Sequence, residues 1–318
     1  MYHKFIPWLK TRKLNLVQIQ TISSCNAKCI VCPHKDSPFA KERIYMSDKL
    51  YSKILDDIAD YDRDFTGKFA PYLMNEPFMD KNILRRIEEM YDKLYNPYLE
   101  ISSNMELLNK QKIDKLYSIF EKHDFYGKFT ISHHGYDKES VERIMGINYD
   151  KAKENIIYLL QKFDGTKLKI TIQDISYSFD MKYELNRRRK VINYLEKLLD
   201  ESKIFHKENI IRDPKIFHNR AANVKLDGWN YNTIVRKIDI NHPFDCIRIH
   251  GCLHVLSTGE TTVCCMDYFK EEIITNLNNI SVREHFNSEN WKDIVDRVTG
   301  RKESSDNFIC KRCMSPGG

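Results

Sequence analysis

Three cysteines near the N-terminus constrain this chain more than any other feature of its sequence. Cys25, Cys29 and Cys32 have the spacing C-x3-C-x2-C and follow a run, 14–22, that predicts a β-strand. Iron–sulfur clusters usually take four cysteine ligands. A loop with only three therefore indicates a [4Fe–4S] cluster in which one iron keeps an open coordination site, as catalytic metal centres do.

A zinc site is the alternative interpretation of this loop. His34 could supply a fourth ligand beside the three thiols. Zinc ligands more often come as paired C-x2-C units, or as C-x2-C followed by two histidines. The spacing therefore favours the iron–sulfur cluster over zinc.

The loop resembles the signature of the radical S-adenosylmethionine (SAM) enzymes, in which C-x3-C-x2-C follows the first strand. The resemblance implies that the amino and carboxylate groups of SAM chelate the open iron. It also implies that an electron from the reduced cluster splits SAM into methionine and a 5′-deoxyadenosyl radical. That radical then abstracts a hydrogen atom from a substrate.

Length and composition agree with a folded protein of one large domain, or of one domain with a smaller companion. The chain has 318 residues, of which 42% are hydrophobic. It has no apolar run of the ~18–20 residues that a membrane span needs, and its N-terminus lacks the apolar stretch and cleavage site of a signal peptide. We therefore expect a soluble, cytoplasmic protein without a membrane partner.

The nine cysteines indicate metal binding, because disulfides are rare in a reducing compartment. Three lie at 25–32 and the other six between Cys246 and Cys313. The net charge of +6 comes from lysines and arginines spread along the whole chain, which predicts a solvated basic surface and no nucleic-acid partner.

Strand and helix patterns alternate through the first two thirds of the chain, five of each, and we interpret them as part of a barrel of six strand–helix units. Such alternation predicts a parallel sheet wrapped by helices, with functional loops at the carboxyl ends of the strands. Strands are predicted at 14–22, 68–74, 98–102, 125–132 and 167–172, and helices from Ser47 and at 81–94, 110–123, 151–163 and 184–202.

The predicted fold class is α/β, a partial (β/α)6 TIM-like barrel with a small C-terminal α+β domain. The barrel over 14–205 resembles the radical SAM core. Residues 206–240 are polar and predict a linker or irregular segment, and 241–318 are expected to form an auxiliary-cluster domain.

Two polar residues follow the second predicted strand, in the sequence Met-Asn-Glu-Pro at 74–77. This stretch resembles the Gly-Gly-Glu-Pro loop of the family, with Met74 and Asn75 in place of the glycines. The resemblance implies that Asn75 and Glu76 receive the methionine ammonium of SAM. An ordinary loop glutamate before a helix-starting proline is the alternative.

The later strand ends carry further candidates for SAM binding. Small polar side chains at Ser103 and Ser132 are expected near the ribose, and Arg143 matches the family position that holds the carboxylate, for which a guanidinium is well shaped. A surface arginine is the alternative for Arg143. His133 and His134 could transfer protons at the same end of the predicted barrel, although packed or solvated histidines are commoner.

A second group of cysteines lies near the C-terminus. A β-hairpin is predicted over 253–263, turning at Thr258-Gly259, and a helix over 282–297, and both would bring distant cysteines together. The pattern C-x12-G-x4-C, then C-x2-C, resembles the SPASM/Twitch extension of radical SAM enzymes. It implies one auxiliary [4Fe–4S] cluster held by Cys246, Cys264, Cys310 and Cys313. A structural zinc is the alternative for these four ligands.

Two cysteines are left over, Cys252 and Cys265. Buried thiols are the commonest fate of such residues. The alternatives are that one of them replaces a cluster ligand, or that one donates a hydrogen atom to a substrate radical, as a cysteine does in radical SAM epimerases.

The resemblance implies a radical SAM enzyme that oxidises a small sugar-like or aminocyclitol-like metabolite, with the auxiliary cluster accepting the second electron. The alternative is a radical SAM enzyme that modifies a ribosomally made peptide by epimerisation, crosslinking or thioether formation. A non-catalytic zinc-binding protein is a third possibility. The expected partners are the small-molecule or peptide substrate and a reducing protein such as flavodoxin or ferredoxin.

Overall fold

A computed structural model describes most of the chain, namely residues 13–124, 126–175, 187–214, 221, 235–244 and 246–313. Three parts of the sequence interpretation lie outside the described residues. They are the N-terminal segment 1–12, the start of the helix predicted over 184–202 and much of the predicted linker.

Strands and helices alternate from β1 to β6, as the sequence pattern predicts. The strands are β1 Leu16–Ile19, β2 Lys68–Ala70, β3 Tyr98–Ser103, β4 Gly127–Ser132, β5 Lys169–Asp174 and β6 Ile210–Pro214. The helices are α1 Asp48–Tyr61, α2 Ile83–Lys93, α3 Lys110–His123, α4 Lys138–Met145, α5 Tyr149–Lys162 and α6 Arg187–Ser202.

The C-terminal strands continue the same sheet. Its order is β6-β5-β4-β3-β2-β1-β7-β8-β9, where β7 is Cys252–Val255, β8 is Glu260–Thr262 and β9 is Ile273–Asn276. All neighbours from β6 to β7 pair in parallel, whereas β8 is antiparallel to both β7 and β9. The sequence did not predict that β7 pairs directly with β1.

The hairpin predicted over 253–263 is confirmed as β7 and β8. In its turn the Leu256 amide donates to the Glu260 carbonyl at 2.8 Å, and the Gly259 amide donates to the Leu256 carbonyl at 2.9 Å. The φ of +88° at Gly259 suits a residue without a Cβ. The helix predicted over 282–297 is divided into α7 Val282–Asn287 and α8 Glu289–Thr299. Ser288 causes the division, because its hydroxyl accepts from the Trp291 amide and so begins a new helix. The last helix is α9 Ile309–Arg312.

The described strands and helices differ from the predicted ones in three further places. β2 ends at Ala70 rather than at 74, because the next residue, Pro71, has no amide hydrogen to continue the ladder. α4 was not predicted as a separate helix, being only eight residues long. β6 lies within the predicted linker; it is an edge strand on which Ile211 is 49% exposed, so its apolar signal is weak. The division into three domains stays a prediction.

The two faces of the sheet differ in chemistry. One face packs on the apolar sides of α1–α6 and is formed by Val17, Ile19, Phe69, Leu99, Ile101, Phe129, Ile131, Ile170, Ile172, Leu253 and Val255. The register places polar residues on the opposite face, here called the polar face: Gln18, Glu100, Ser102, Thr130, Ser132, Thr171, Gln173 and His254. A parallel sheet covered by helices on both sides is normally apolar on both. The polar face therefore indicates the inside of a barrel.

None of the described helices is long and apolar enough to cross a membrane.

The loop that carries the first three cysteines is held by the end of α4. The amides of Lys28 and Ile30 donate to the carbonyls of Met145 and Ile144, at 2.8 and 2.9 Å. These carbonyls lie in the last turn of the helix, where they have no partner within it. Gly146 ends α4 in the left-handed conformation at φ +63°, which lets the loop approach this end of the helix.

We predict that Gly146→Ala loosens the cysteine loop. A left-handed alanine costs about 1–2 kcal/mol, and its Cβ would lie 3.2 Å from the Lys28 Cβ. The matched control is Gly165→Ala, which has a similar φ of +72° and faces the side chain of His206 instead. Both variants should lose similar stability, but only Gly146→Ala should speed alkylation of the loop cysteines in metal-free protein, followed by mass spectrometry. Equal alkylation rates in the two variants would show that Gly146 does not govern the loop.

Candidate functional site

The three N-terminal thiols lie together beside a carboxylate. Burial, together with the neighbouring cysteines and Glu76, raises the pKa of Cys25 well above its usual value and that of Cys29 to about 12. Such mutual repulsion makes three thiolates unfavourable together unless a cation lies among them. The donor set therefore fits a cationic iron–sulfur cluster.

His34, the possible fourth zinc ligand, has its Nε2 atom 3.1 Å from the Ser23 carbonyl oxygen. Among the described residues, no group of three or more His, Cys, Asp or Glu side chains is close enough to hold a single metal ion.

Glu76 lies at the centre of a buried network between the loops after β1, β2 and β3. Its Oε1 atom accepts from the Ser103 hydroxyl at 2.9 Å, and its Oε2 atom accepts from the Asn104 amide at 2.9 Å. The Glu76 amide donates to the Ser24 carbonyl, next to Cys25, at 3.2 Å. Burial raises the pKa of Glu76 to about 7, although these hydrogen bonds oppose the shift.

The neighbouring residue, Asn75, has a buried donor with no partner among the described residues. Its Oδ1 atom accepts from the Leu73 amide at 3.0 Å, whereas its Nδ2 atom makes no hydrogen bond. Buried polar groups are nearly always paired, so an orphaned amide next to Glu76 indicates a place for a ligand oxygen.

A second network joins the cysteine loop to the loop after β3. Asn26 donates to the Glu106 carboxylate at 2.6 Å and accepts from the Asn104 side chain at 3.0 Å. Asn104 and Asn26 were not singled out in the sequence, since asparagine in a loop is too common to be a signal. Together with Glu76, they fix the relative positions of the loops at this end of the sheet.

The remaining SAM-binding candidates fall in different places. Ser103 is buried and supports Glu76 through its hydroxyl. Ser132 lies on the polar face, 3.3 Å from the Ser102 hydroxyl. Arg143 is exposed on α4, and no hydrogen bond or ion pair within the described residues joins it to Glu76.

His133 and His134 are packed rather than open to a substrate. The His133 ring stacks on Tyr194 of α6 and its Nε2 atom lies 2.9 Å from the Tyr194 hydroxyl. His134 is also buried, with its Nδ1 atom 3.4 Å from the Ile175 amide. The simpler alternative of packed histidines therefore agrees with the structure.

The four C-terminal cysteines of the predicted auxiliary site lie near one another. The pKa of Cys310 is raised by burial and by Cys246 and Cys313, and the pKa of Cys264 is raised by burial and by neighbours that include Cys310. The loop that carries Cys264 is organised by Asp267, whose carboxylate accepts from the Thr262 hydroxyl at 2.6 Å.

The two leftover cysteines lie beside this group. Cys252 is in β7, opposite Leu16, and its pKa is raised to about 12, mainly by burial. Cys265 packs against a cluster of Leu73, Met74 and Leu256, of which the first two lie in the loop that leads to Glu76. Arg248 lies close enough to Cys246, Cys264 and Cys265 for them to raise its pKa.

Tyr268 connects the two groups of cysteines. The Cys32 Sγ atom lies 3.8 Å from the Tyr268 hydroxyl, and the Ser37 hydroxyl donates to the Tyr268 carbonyl at 3.0 Å. Tyr268 is four residues beyond Cys264, so the loop between them joins both groups. Tyr268 was not singled out in the sequence. Its position just after Cys264 and Cys265 was the one feature that could have indicated a role near the cysteines.

Comparison with known proteins gives matches among solved structures. Neither a protein-family model nor a curated protein sequence matches the chain. The structure of BtrN in complex with AdoMet and 2-DOIA aligns with a TM-score of 0.60, at 16% identity, over 95% of this chain and 93% of BtrN. Native anSMEcpe with bound AdoMet aligns with a TM-score of 0.58, at 14% identity, over 89% of this chain and 83% of that one.

A third similar structure is Streptococcus suis SuiB bound to precursor peptide SuiA. Its TM-score is 0.53, at 14% identity, over 92% of this chain and 70% of SuiB. The α/β class and the partial barrel expected from the sequence are thereby confirmed. The chain has the fold of these proteins, which includes a partial TIM barrel.

Proposed function

We propose that this protein is a radical SAM enzyme. The observation that carries the proposal is that three partly buried thiols and Glu76 lie together beyond the carboxyl end of β1, on this fold. When bound, the first cluster and SAM would supply a 5′-deoxyadenosyl radical that removes a substrate hydrogen atom, and the auxiliary cluster would accept a second electron. The protein supplies binding, orientation and a buried surrounding.

Cys25, Cys29 and Cys32 are proposed to hold the first cluster, and Asn75 and Glu76 to hold SAM. A ligand ammonium beside Glu76 would favour the ionised carboxylate, whose pKa burial raises to about 7. The free Nδ2 donor of Asn75 suits a ligand oxygen. Ser103 acts on SAM through Glu76, which it orients.

The auxiliary cluster is proposed to be held by Cys246, Cys264, Cys310 and Cys313. Their closeness supports this assignment, as does the nearby Arg248 guanidinium, which stabilises thiolates. Zinc at these four residues is the alternative that metal analysis decides.

The substrate that we favour is a small polyhydroxylated molecule, which the enzyme oxidises. The polar face of the sheet supports this, because hydroxyl, amide and carboxylate side chains there can bind hydroxyl groups. The similarity to BtrN in complex with 2-DOIA supports it as well. The similarity to SuiB bound to its precursor peptide supports peptide modification as the second candidate.

Cys265 is the better placed of the two leftover thiols to donate a hydrogen atom to a substrate radical. It is partly exposed and packs beside the Glu76 loop, whereas Cys252 is buried within β7. Full turnover by both Cys265→Ala and Cys252→Ala would exclude hydrogen donation by either.

We predict about eight irons per chain after anaerobic reconstitution, because two cubane clusters hold four irons each. The triple variant Cys25→Ala/Cys29→Ala/Cys32→Ala should hold about four. The matched variant Cys310→Ala/Cys313→Ala should also hold about four, but should still bind SAM. Iron, sulfide and zinc are measured on the same samples.

About four irons in the wild type, falling to none in the triple variant, would assign the C-terminal cysteines to zinc. A colourless wild type with zinc alone would instead support the non-catalytic zinc-binding protein and end the radical SAM proposal.

We further predict that Glu76→Gln binds SAM at least about tenfold more weakly. The substitution keeps the size of the side chain but removes a charge-assisted hydrogen bond, which is worth roughly 1.5–3 kcal/mol. The control is Glu89→Gln, a carboxylate on α2 that pairs only with Arg85 and Lys93 among the ion pairs of the described residues. Equilibrium dialysis of SAM against iron-loaded protein measures the effect. Unchanged SAM affinity in Glu76→Gln would remove Glu76 from the SAM site.

A further inference from the structure

His254 is a fully buried histidine with neither ring nitrogen paired. It lies in the middle of β7, is 1% exposed, and both Nδ1 and Nε2 lack a hydrogen-bond partner among the described residues. Leaving a buried polar group unpaired costs about 1–3 kcal/mol. A purely structural position without a hydrogen-bond partner would favour an apolar residue, because burying an unpaired polar group is unfavourable.

The residue opposite His254 on the neighbouring strand has an orphaned atom as well. Gln18 of β1 is the register partner of His254, is 7% exposed, and its Oε1 atom has no partner in the described part of the chain. Thr171 of β5 is a third case, 1% exposed with an unpaired Oγ1 atom. All three residues lie on the polar face, so their unpaired atoms share one side of the sheet.

The charges around His254 define what it can bind. Burial, together with Arg248 and His285, lowers the pKa of His254 to about 3, so the ring is neutral at physiological pH. A neutral imidazole has one donor and one acceptor nitrogen, and the Gln18 oxygen adds a second acceptor. The Arg248 guanidinium makes this place unfavourable for a cationic group.

We propose that His254 and Gln18 bind neighbouring hydroxyl groups of a small polyol substrate inside the barrel. A hydroxyl both donates and accepts, so two of them can satisfy one donor and two acceptors. The burial of His254 favours a small molecule that is enclosed over a peptide that needs an open groove. This inference rests on the proposed function and specifies its substrate class.

The proposal gives the C-terminal region a second role. β7 belongs to that region, and it places His254 beside Gln18 of the first strand of the barrel. Cys252, two residues before His254, is close to Arg248 and Cys246. The same strand therefore lies next to both the proposed substrate and the proposed auxiliary site.

The test uses iron-loaded protein with SAM and measures the thermal unfolding midpoint with and without scyllo-inositol, glucose or a short peptide. A ligand that binds only the folded state raises this midpoint. The variants are His254→Leu, His254→Gln and Gln18→Leu. The control is His206→Gln, a histidine that precedes β6 and whose Nδ1 atom lies 3.2 Å from the Asp164 carboxylate.

The expected result is a rise in midpoint with a polyol for the wild type and the control, and no rise for His254→Leu and Gln18→Leu. Without any probe, His254→Leu should unfold at the same or a higher temperature, because it removes unpaired polar atoms. His254→Gln, which keeps a donor and an acceptor, should retain part of the rise.

Two results would overturn the proposal. One is a polyol-induced rise that survives in His254→Leu and Gln18→Leu. The other is a wild type that responds to the peptide or to no probe at all. Iron content and SAM binding of the same preparations test the proposed function separately, so the failure of one is distinguishable from the failure of the other.

Discussion

β1 is hydrogen-bonded on both sides, and both of its neighbours run parallel to it. It pairs with β2 through Leu16, Val17 and Gln18, and with β7 through all four of its residues. This short strand therefore joins the helix-wrapped barrel to the C-terminal strands. The loop that leaves its carboxyl end carries Cys25, Cys29 and Cys32. Any shift of β1 would move the cysteine loop and the C-terminal region together.

The loops around this strand end are held by hydrogen bonds rather than by apolar packing alone. The end of α4 supplies carbonyls to the cysteine loop, Glu76 joins the loops after β2 and β3, and Tyr268 reaches Cys32 from the C-terminal region. Buried hydrogen bonds of this kind fix geometry, because breaking one leaves an unpaired polar group. The proposed radical reaction would need such fixed positions.

The sequence was most informative where chemistry requires particular residue types at a particular spacing. The two cysteine groups, Glu76 and the β7–β8 hairpin could all be located in that way. Contacts between distant segments could not be predicted from the sequence, and the pairing of β7 with β1 is the main example. The role of α4 was hidden because backbone carbonyls, which leave no signature in the sequence, hold the loop.

The polar residues inside the barrel were harder still to find. Gln18 and His254 each stand alone between apolar neighbours, and a single polar residue in a strand has many explanations. The strand register shows that the two residues lie opposite each other. The structure around them shows that side-chain atoms of both are buried without a hydrogen-bond partner among the described residues. Arg143, by contrast, was singled out in the sequence because it matched a family position, and its side chain is exposed in the structure.

The cleavage of SAM tests the central claim most directly. Iron-loaded protein is reduced with dithionite in the presence of SAM, and 5′-deoxyadenosine and methionine are quantified by liquid chromatography and mass spectrometry. We expect the wild type to form both products in equal amounts and Cys32→Ala to form neither. A wild type that holds its iron but forms no 5′-deoxyadenosine, or a Cys32→Ala variant that forms as much as the wild type, would contradict it.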